Sequence, residues 1–67
     1  MKNHLKIERA KKNITQADLA EALNVSRQTI NSIERAKFVP STVLALRMAK
    51  YFGIKVEELF FLNDNEQ

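Results

Sequence analysis

The sequence predicts an all-α fold of five short helices. Three observations carry that expectation. Glycine and proline occur once each in 67 residues, at Gly53 and Pro40, while 45% of the chain is hydrophobic. So little punctuation with so much apolar content belongs to packed helices rather than to sheets or disorder. Apolar residues recur at helical spacing in several short stretches, and hydroxyl residues that cap helices (Thr15, Ser26 and Ser41) stand just before three of them.

Length bounds the rest. A chain of 67 residues has room for one domain, residues 1–67, and a domain this small buries only about 60% of its unfolded surface. There is no cysteine, hence no disulfide and no thiolate zinc site, and His4 is the sole histidine, so neither a metal nor another cofactor is expected. Apolar runs stay short, as at Val43 to Leu46, far below the roughly 20 residues that span a bilayer. Met1 to Ile14 is basic but has no apolar stretch behind it, so nothing reads as a secretory leader. No membrane partner and a cytoplasmic location are expected. No Gly-rich phosphate loop and no nucleophile with a partner base is present, which argues against an enzyme.

Taken in order, the first helix should run from about Leu5 to Lys12, with Leu5, Arg9 and Lys12 on one face. Asn13 can end it, because asparagine tolerates the left-handed conformation. Thr15 caps the second helix, and Asp18 three residues on completes a capping box with a short acid. Leu19, Ala20 and Leu23 form its core stripe, and Asn24 stops it. Ser26 caps the third helix, with Val25 and Ile30 placed for a hydrophobic staple. Ile30 and Ile33 face inward, which leaves Arg27, Gln28, Asn31, Ser32 and Arg35 outside, a row with no apolar member.

Pro40 breaks the chain and Ser41 caps the fourth helix, which carries Leu44, Ala45, Met48, Ala49 and Phe52 and stops at Gly53. A fifth helix, about Val56 to Phe60, has Glu57 and Glu58 in its first turn, where the helix dipole favours acids. Consecutive apolar residues at Phe60, Phe61 and Leu62 cannot all face one core from a helix. They fit a strand pairing with residues near Lys2 to Leu5, giving a short terminal two-stranded β-ribbon, or a subunit interface joined by Leu46. Residues 63–67 are expected to fray.

Charge is uneven. The net charge is +3, but residues 1–14 carry five Lys/Arg against one Glu, whereas residues 54–67 are acidic. An anionic partner for one face fits this asymmetry, as does an ordinary solvated helix face. The join between the second and third helices bears on the choice but leaves the solvated-face reading open. Asn24, Val25 and Ser26 are too few for side-by-side antiparallel packing, so the two helices must cross at a large angle. That is a helix-turn-helix, with its core at residues 15–35, and it turns the polar row of the third helix outward, where a major groove could receive it.

The stretches Ile14-Thr15-Gln16-Ala17-Asp18-Leu19-Ala20, Val25-Ser26-Arg27-Gln28-Thr29-Ile30-Asn31-Ser32-Ile33-Glu34-Arg35 and Pro40-Ser41 resemble the Cro/C1-type (XRE) helix-turn-helix regulators, especially their short dimeric members. The resemblance runs from about Leu5 to Phe60. It implies a five-helix, lambda-repressor-like DNA-binding domain. It also implies that Arg27, Gln28 and Ser32, with Asn31 beside them, read bases. Gln16 matches a residue that holds a phosphate and orients the third helix, and Thr29 matches one that touches the backbone or a thymine methyl. Arg35, Lys37 and the helix start at Thr42 would flank the DNA backbone. Arg9 and Glu34 match a partly buried structural ion pair.

Chemistry agrees with these roles. Glutamine can pair bidentately with adenine and arginine with guanine, each good pair discriminating by about 1–3 kcal/mol. Lysines and arginines on phosphates set affinity and salt dependence. The sequence departs from the family where glycines are usual, carrying Asn24 in the turn and Ala36 after the third helix. Alanine is unfavourable in a left-handed conformation, so the third helix is expected to end differently. Lys55 stands where a hydroxyl cap is usual, so the fifth helix should start weakly.

The resemblance therefore implies a DNA-binding transcriptional regulator, a homodimeric repressor on a palindromic operator, with Leu46, Phe60, Phe61 and Leu62 at the subunit seam. No sensor segment is visible, so relief would need a protein partner, proteolysis, a change in concentration or a small ligand. Two other readings are an antitoxin that binds a protein toxin through Phe60 to Gln67, and a protein-interaction module that kept the fold and lost DNA binding. Arg27, Gln28 and Arg35 argue against the latter.

Overall fold

The structure, a computed structural model, describes residues 1–67. Strand β1 (Lys2–Asn3) is followed by α1 (Leu5–Lys11), α2 (Gln16–Leu23), α3 (Arg27–Glu34), α4 (Thr42–Phe52) and α5 (Val56–Leu59), then strand β2 (Phe60–Phe61) and a 3-10 turn at Asp64–Glu66.

Hydroxyl caps start the three central helices. Thr15 Oγ1 accepts from the Asp18 amide at 3.0 Å while the Asp18 carboxylate accepts from the Thr15 amide at 3.0 Å, a complete capping box. Ser26 Oγ accepts from the Thr29 amide at 3.0 Å, and Ser41 Oγ from the Leu44 amide at 3.1 Å. Helix α5 has only half of this device. The Lys55 ammonium cannot accept a bond, and Glu58 Oε1 alone reaches back to the Lys55 amide at 2.9 Å. The helix is a single turn of 4 residues.

The helix ends follow one rule. Asn13, Asn24, Ala36 and Gly53 all adopt left-handed backbone, at φ +55°, +56°, +58° and +69°. In each case that residue's amide bonds the carbonyl three residues back and the next amide bonds the carbonyl five back, as Asn24 does to Glu21 and Val25 to Ala20. This is the Schellman motif. The apolar residue that follows, Ile14, Val25 or Ile54, then packs on the core.

At Ala36 the expectation of a different ending is corrected. Its amide bonds Ile33 at 2.9 Å and the Lys37 amide bonds Ser32 at 2.9 Å, the same geometry without a glycine. The satisfied carbonyls outweigh the left-handed alanine, which costs about 1–2 kcal/mol. The residue after it is the exposed Lys37, so this end alone lacks the apolar clasp.

Leu5, Leu19, Ile30, Ile33, Met48 and Leu59 are wholly buried, and Ala20, Leu23, Ala49 and Phe60 complete the core. The stripes read from α2 and α3 face it; on α4, Met48 and Ala49 do so fully, whereas Leu44, Ala45 and Phe52 are half-buried. Two polar links brace the periphery. Arg47 Nη2 donates to the Leu23 carbonyl at the end of α2 at 2.8 Å. Asn3 Nδ2 donates to the Ile33 carbonyl at 2.8 Å, and its oxygen accepts from the Leu5 amide at 3.1 Å.

The chain ends pair as an antiparallel ribbon, Lys2 opposite Phe61 and Asn3 opposite Phe60. Phe60 is already extended, so α5 stops at Leu59 rather than including it. Phe60 is only 7% exposed. Most of Phe60 is used by the chain's own core, and it also lines the apolar groove that holds Leu46. The expectation of a frayed end is also corrected. Asn63 donates its amide to Glu66 Oε1 at 2.7 Å, and the Met1 ammonium meets Glu66 Oε2 at 2.8 Å. The ribbon sets both termini side by side, so these charges meet. The Met1 ammonium, then the Asn63 amide, hold the Glu66 carboxyl below its usual range.

Candidate nucleic-acid interface

Helix α3 divides its residues sharply. Ile30 and Ile33 have no exposure, whereas Arg27, Gln28 and Arg35 are exposed and Thr29, Asn31 and Ser32 half-exposed. Two shallow clefts meet on the outer face. Gln16, Arg27, Gln28 and Asn31 line one. Ser26, Gln28, Thr29, Ser32, Lys37 and Phe38 line the other. Gln28 is common to both and stands as the ridge between them.

A hydrogen-bonded network holds this face from below. Glu34, its side chain only 4% exposed, accepts from Arg9 Nε at 2.7 Å and from Arg9 Nη2 at 3.2 Å. Arg9 also donates through Nη1 to the Ile14 carbonyl at 2.9 Å, so α1, the start of α2 and the end of α3 are joined by one side chain. The bond to Glu34 raises the Arg9 pKa further above its already high value. Gln16 Nε2 donates to Glu34 Oε1 at 3.1 Å and to Asn31 Oδ1 at 3.2 Å. No buried side-chain polar atom is left without a partner.

The network limits what individual residues can offer. The Asn31 oxygen already accepts from Gln16, so Asn31 brings mainly its Nδ2 donors to a groove. Thr29 Oγ1 lies 2.8 Å from Ser26 Oγ, so one hydroxyl proton is shared there. Arg27, Gln28 and Lys37 have no side-chain hydrogen bond within the chain and keep their full capacity.

The residues read from the sequence do not all converge. Gln16, Arg27, Gln28, Asn31, Thr29, Ser32 and Lys37 share the two clefts. Arg35 lies apart, at the far end of α3, in a cleft with Lys2, Asn3, His4 and Phe61. The His4 ring meets the Phe61 ring edge-on at 4.7 Å. Thr42 also lies apart, in an apolar groove with Met1, Val39, Pro40, Ala45 and Leu46.

Leu46 and Leu62 are 52% and 53% exposed, and Phe61 is half-buried. Sequence reasoning missed Val39 and Val43, 59% and 68% exposed. Val43 and Leu46 stand three residues apart on one side of α4, and Val39 lies in the loop before it; the signal on α4 was present but was read only for the core-facing stripe. It also missed Phe38, 50% exposed beside the α3 row, for which no pattern in the sequence distinguishes groove from solvent. No cluster of side chains is arranged to hold a metal, and no helix is long and apolar enough to cross a membrane.

The helix-turn-helix family HTH_3 matches residues 5–59. An uncharacterized HTH-type transcriptional regulator of Methanocaldococcus jannaschii is 54% identical over 66 residues, covering 98% of this chain and 100% of the relative. The HTH-type regulator YgzD of Bacillus subtilis is 42% identical over 64 residues, covering 96% of this chain and 97% of the relative. A third, from Archaeoglobus fulgidus, is 39% identical over 66 residues, covering 98% and 93%. The match spans the α2–turn–α3 unit and the helices that hold it, so the chain belongs to the HTH_3 helix-turn-helix family, for which DNA binding in transcription regulation is the implied activity.

Proposed function

We propose that the protein is a sequence-specific double-stranded DNA-binding regulator in the cytoplasm, acting as a homodimeric repressor on a two-fold symmetric operator. In this reading the 67 residues work as one DNA-binding unit, and α3 enters the major groove. Gln28, Arg27, Ser32 and the Asn31 amide read base edges. The Gln16 backbone amide at the start of α2, with Thr29 and Lys37, meets the sugar–phosphate backbone, with Arg35 and the start of α4 at Thr42 further out. Each subunit covers a half-site, the two lying about 34 Å apart or a multiple of it. Occupying that site excludes polymerase.

The observation that carries the reading is Gln28: an uncommitted amide on the ridge of a polar helix face whose backbone is locked by Glu34, Gln16 and Arg9. A rigid, unspent hydrogen-bonding edge is what base readout requires. The exposed Val39, Val43 and Leu46 beside an apolar groove favour a second subunit as their cover.

The test is a titration against the promoter regions of its own and neighbouring genes, with excess competitor DNA and at two salt concentrations. Wild-type protein should protect one footprint with affinity that falls steeply with salt. Gln28→Ala should weaken that footprint by about 5- to 150-fold, equivalent to roughly 1–3 kcal/mol. Equal affinity of the two proteins, or binding with no preferred site, would remove Gln28 from the reading.

A further inference from the structure

Phe38 and Val39 are consecutive, exposed and apolar, yet they serve different surfaces. Phe38 closes the cleft lined by Ser26, Gln28, Thr29, Ser32 and Lys37, whereas Val39 lines the groove against α4. The chain bends at Lys37 and Phe38 between the left-handed Ala36 and the cap at Ser41, and the two neighbouring side chains line different clefts. Phe38 is therefore not part of the apolar surface that contains Val43 and Leu46. It is an aromatic wall, 50% exposed, set directly against the polar row of α3.

We propose that Phe38 is a specificity-determining residue that reads the C5-methyl group of a thymine beside the base contacted by Gln28. The inference rests on the DNA-binding reading above. Three features commit the cleft to this occupant. Its rim is continuous with that interface through Gln28 and Ser32. Lys37 lines the same cleft and has no side-chain hydrogen bond within the chain, so its ammonium is free for a phosphate. Of its hydroxyls, Ser26 and Thr29 are bonded to each other at 2.8 Å, and Phe38 is the one apolar side chain among its lining residues. In the major groove the group that an apolar wall can recognise is the thymine methyl.

Duplexes enriched from a randomised pool on the wild-type protein provide the probe. The expected consensus holds a T·A pair next to the position whose identity is lost in Gln28→Ala. Replacing that thymine by deoxyuracil should weaken wild-type binding about fourfold, the worth of one buried methyl group. The same replacement should be without effect on Phe38→Ala and of intermediate effect on Phe38→Leu, with thermal unfolding used to confirm that both variants fold. The deoxyuracil duplex tests the wild-type protein even if a variant does not fold. An enriched consensus in which no thymine methyl matters overturns the inference and leaves the DNA reading standing. So does a deoxyuracil loss of equal size in wild type and Phe38→Ala, or a Phe38→Ala loss uniform across all duplexes. Failure of the wild-type protein to enrich any sequence overturns both.

Discussion

Gln16 Nε2 donates to Asn31 Oδ1 at 3.2 Å across the turn that joins α2 to α3. The bond ties a first-turn residue of one helix to the exposed face of the next, so the orientation of the α3 side chains is set before any partner arrives. The same nitrogen also meets Glu34 at 3.1 Å, which makes Gln16 a bracket rather than a free surface amide.

Gln16→Ala should cost about 2–4 kcal/mol of stability, the net worth of one neutral hydrogen bond and one to a carboxylate. A double-mutant cycle with Asn31→Ala should return a coupling of about 0.5–1.5 kcal/mol. Urea unfolding measures both, and strictly additive losses would mean that the bond is not formed in solution.

Removing one member of the Arg9–Glu34 pair should be far more damaging. Arg9→Met leaves the Glu34 carboxylate, 4% exposed, with only Gln16 as a side-chain donor, at a cost of about 3–5 kcal/mol. In a chain this small such a loss approaches the whole stability. The double variant Arg9→Met with Glu34→Met should regain most of it, since no uncompensated charge remains. A double variant no more stable than Arg9→Met alone would show that packing, not charge, sets the cost.

Two positions with the same backbone conformation should respond in opposite directions. Ala36→Gly relieves the left-handed alanine and should add about 0.5–1 kcal/mol, a rise in Tm of several degrees. Gly53→Ala places a Cβ with nothing within 4 Å, so its loss of about 0.5–1 kcal/mol is purely conformational, the left-handed penalty less the entropy alanine saves in the unfolded chain. Differential scanning calorimetry distinguishes them, and a destabilising Ala36→Gly would contradict the left-handed geometry.

The capping box makes stability depend on acid. The Thr15 amide, then its hydroxyl side chain, hold the Asp18 carboxyl below its usual range. A lowered folded-state pKa adds stability that is present above the unfolded value of about 3.9 and is lost as pH falls through the folded value. Asp18→Asn should therefore be less stable than wild type at pH 7, and the difference should shrink on titration toward pH 2. A pH-independent difference would assign the effect to something other than ionisation.

The proposed subunit seam predicts a change of mass. Leu46→Asp puts a charge beside the exposed Val39 and Val43, away from the wholly buried core residues. Sedimentation should show a monomer that keeps the wild-type helical signal and loses operator affinity. A variant of unchanged mass would take Leu46 out of the seam.

Much of the architecture was legible along the chain because its signals are local. Thr15, Ser26 and Ser41 start helices through bonds that span three residues, and Asn13, Asn24 and Gly53 stop them through a conformation that few other residues accept. The α3 row was equally plain, since Ile30 and Ile33 claim one side and leave Arg27, Gln28 and Ser32 on the other. Ala36 misled for a local reason as well: its intrinsic preference argues against left-handed backbone, and the capped carbonyls of Ser32 and Ile33 override it.

What the order of residues determined by itself was therefore the number of helices, their ends and the polarity of their faces, because caps, stops and periodicity act over a few residues. What the tertiary structure decided was which side chains meet. It put Phe60 in the core and Phe61 on its edge, set Glu66 against Met1, separated Arg35 and Thr42 from the α3 clefts, and sent Phe38 and Val39 to different surfaces. Those outcomes depend on contacts between residues far apart in the chain, and such contacts form only once the helices have packed together.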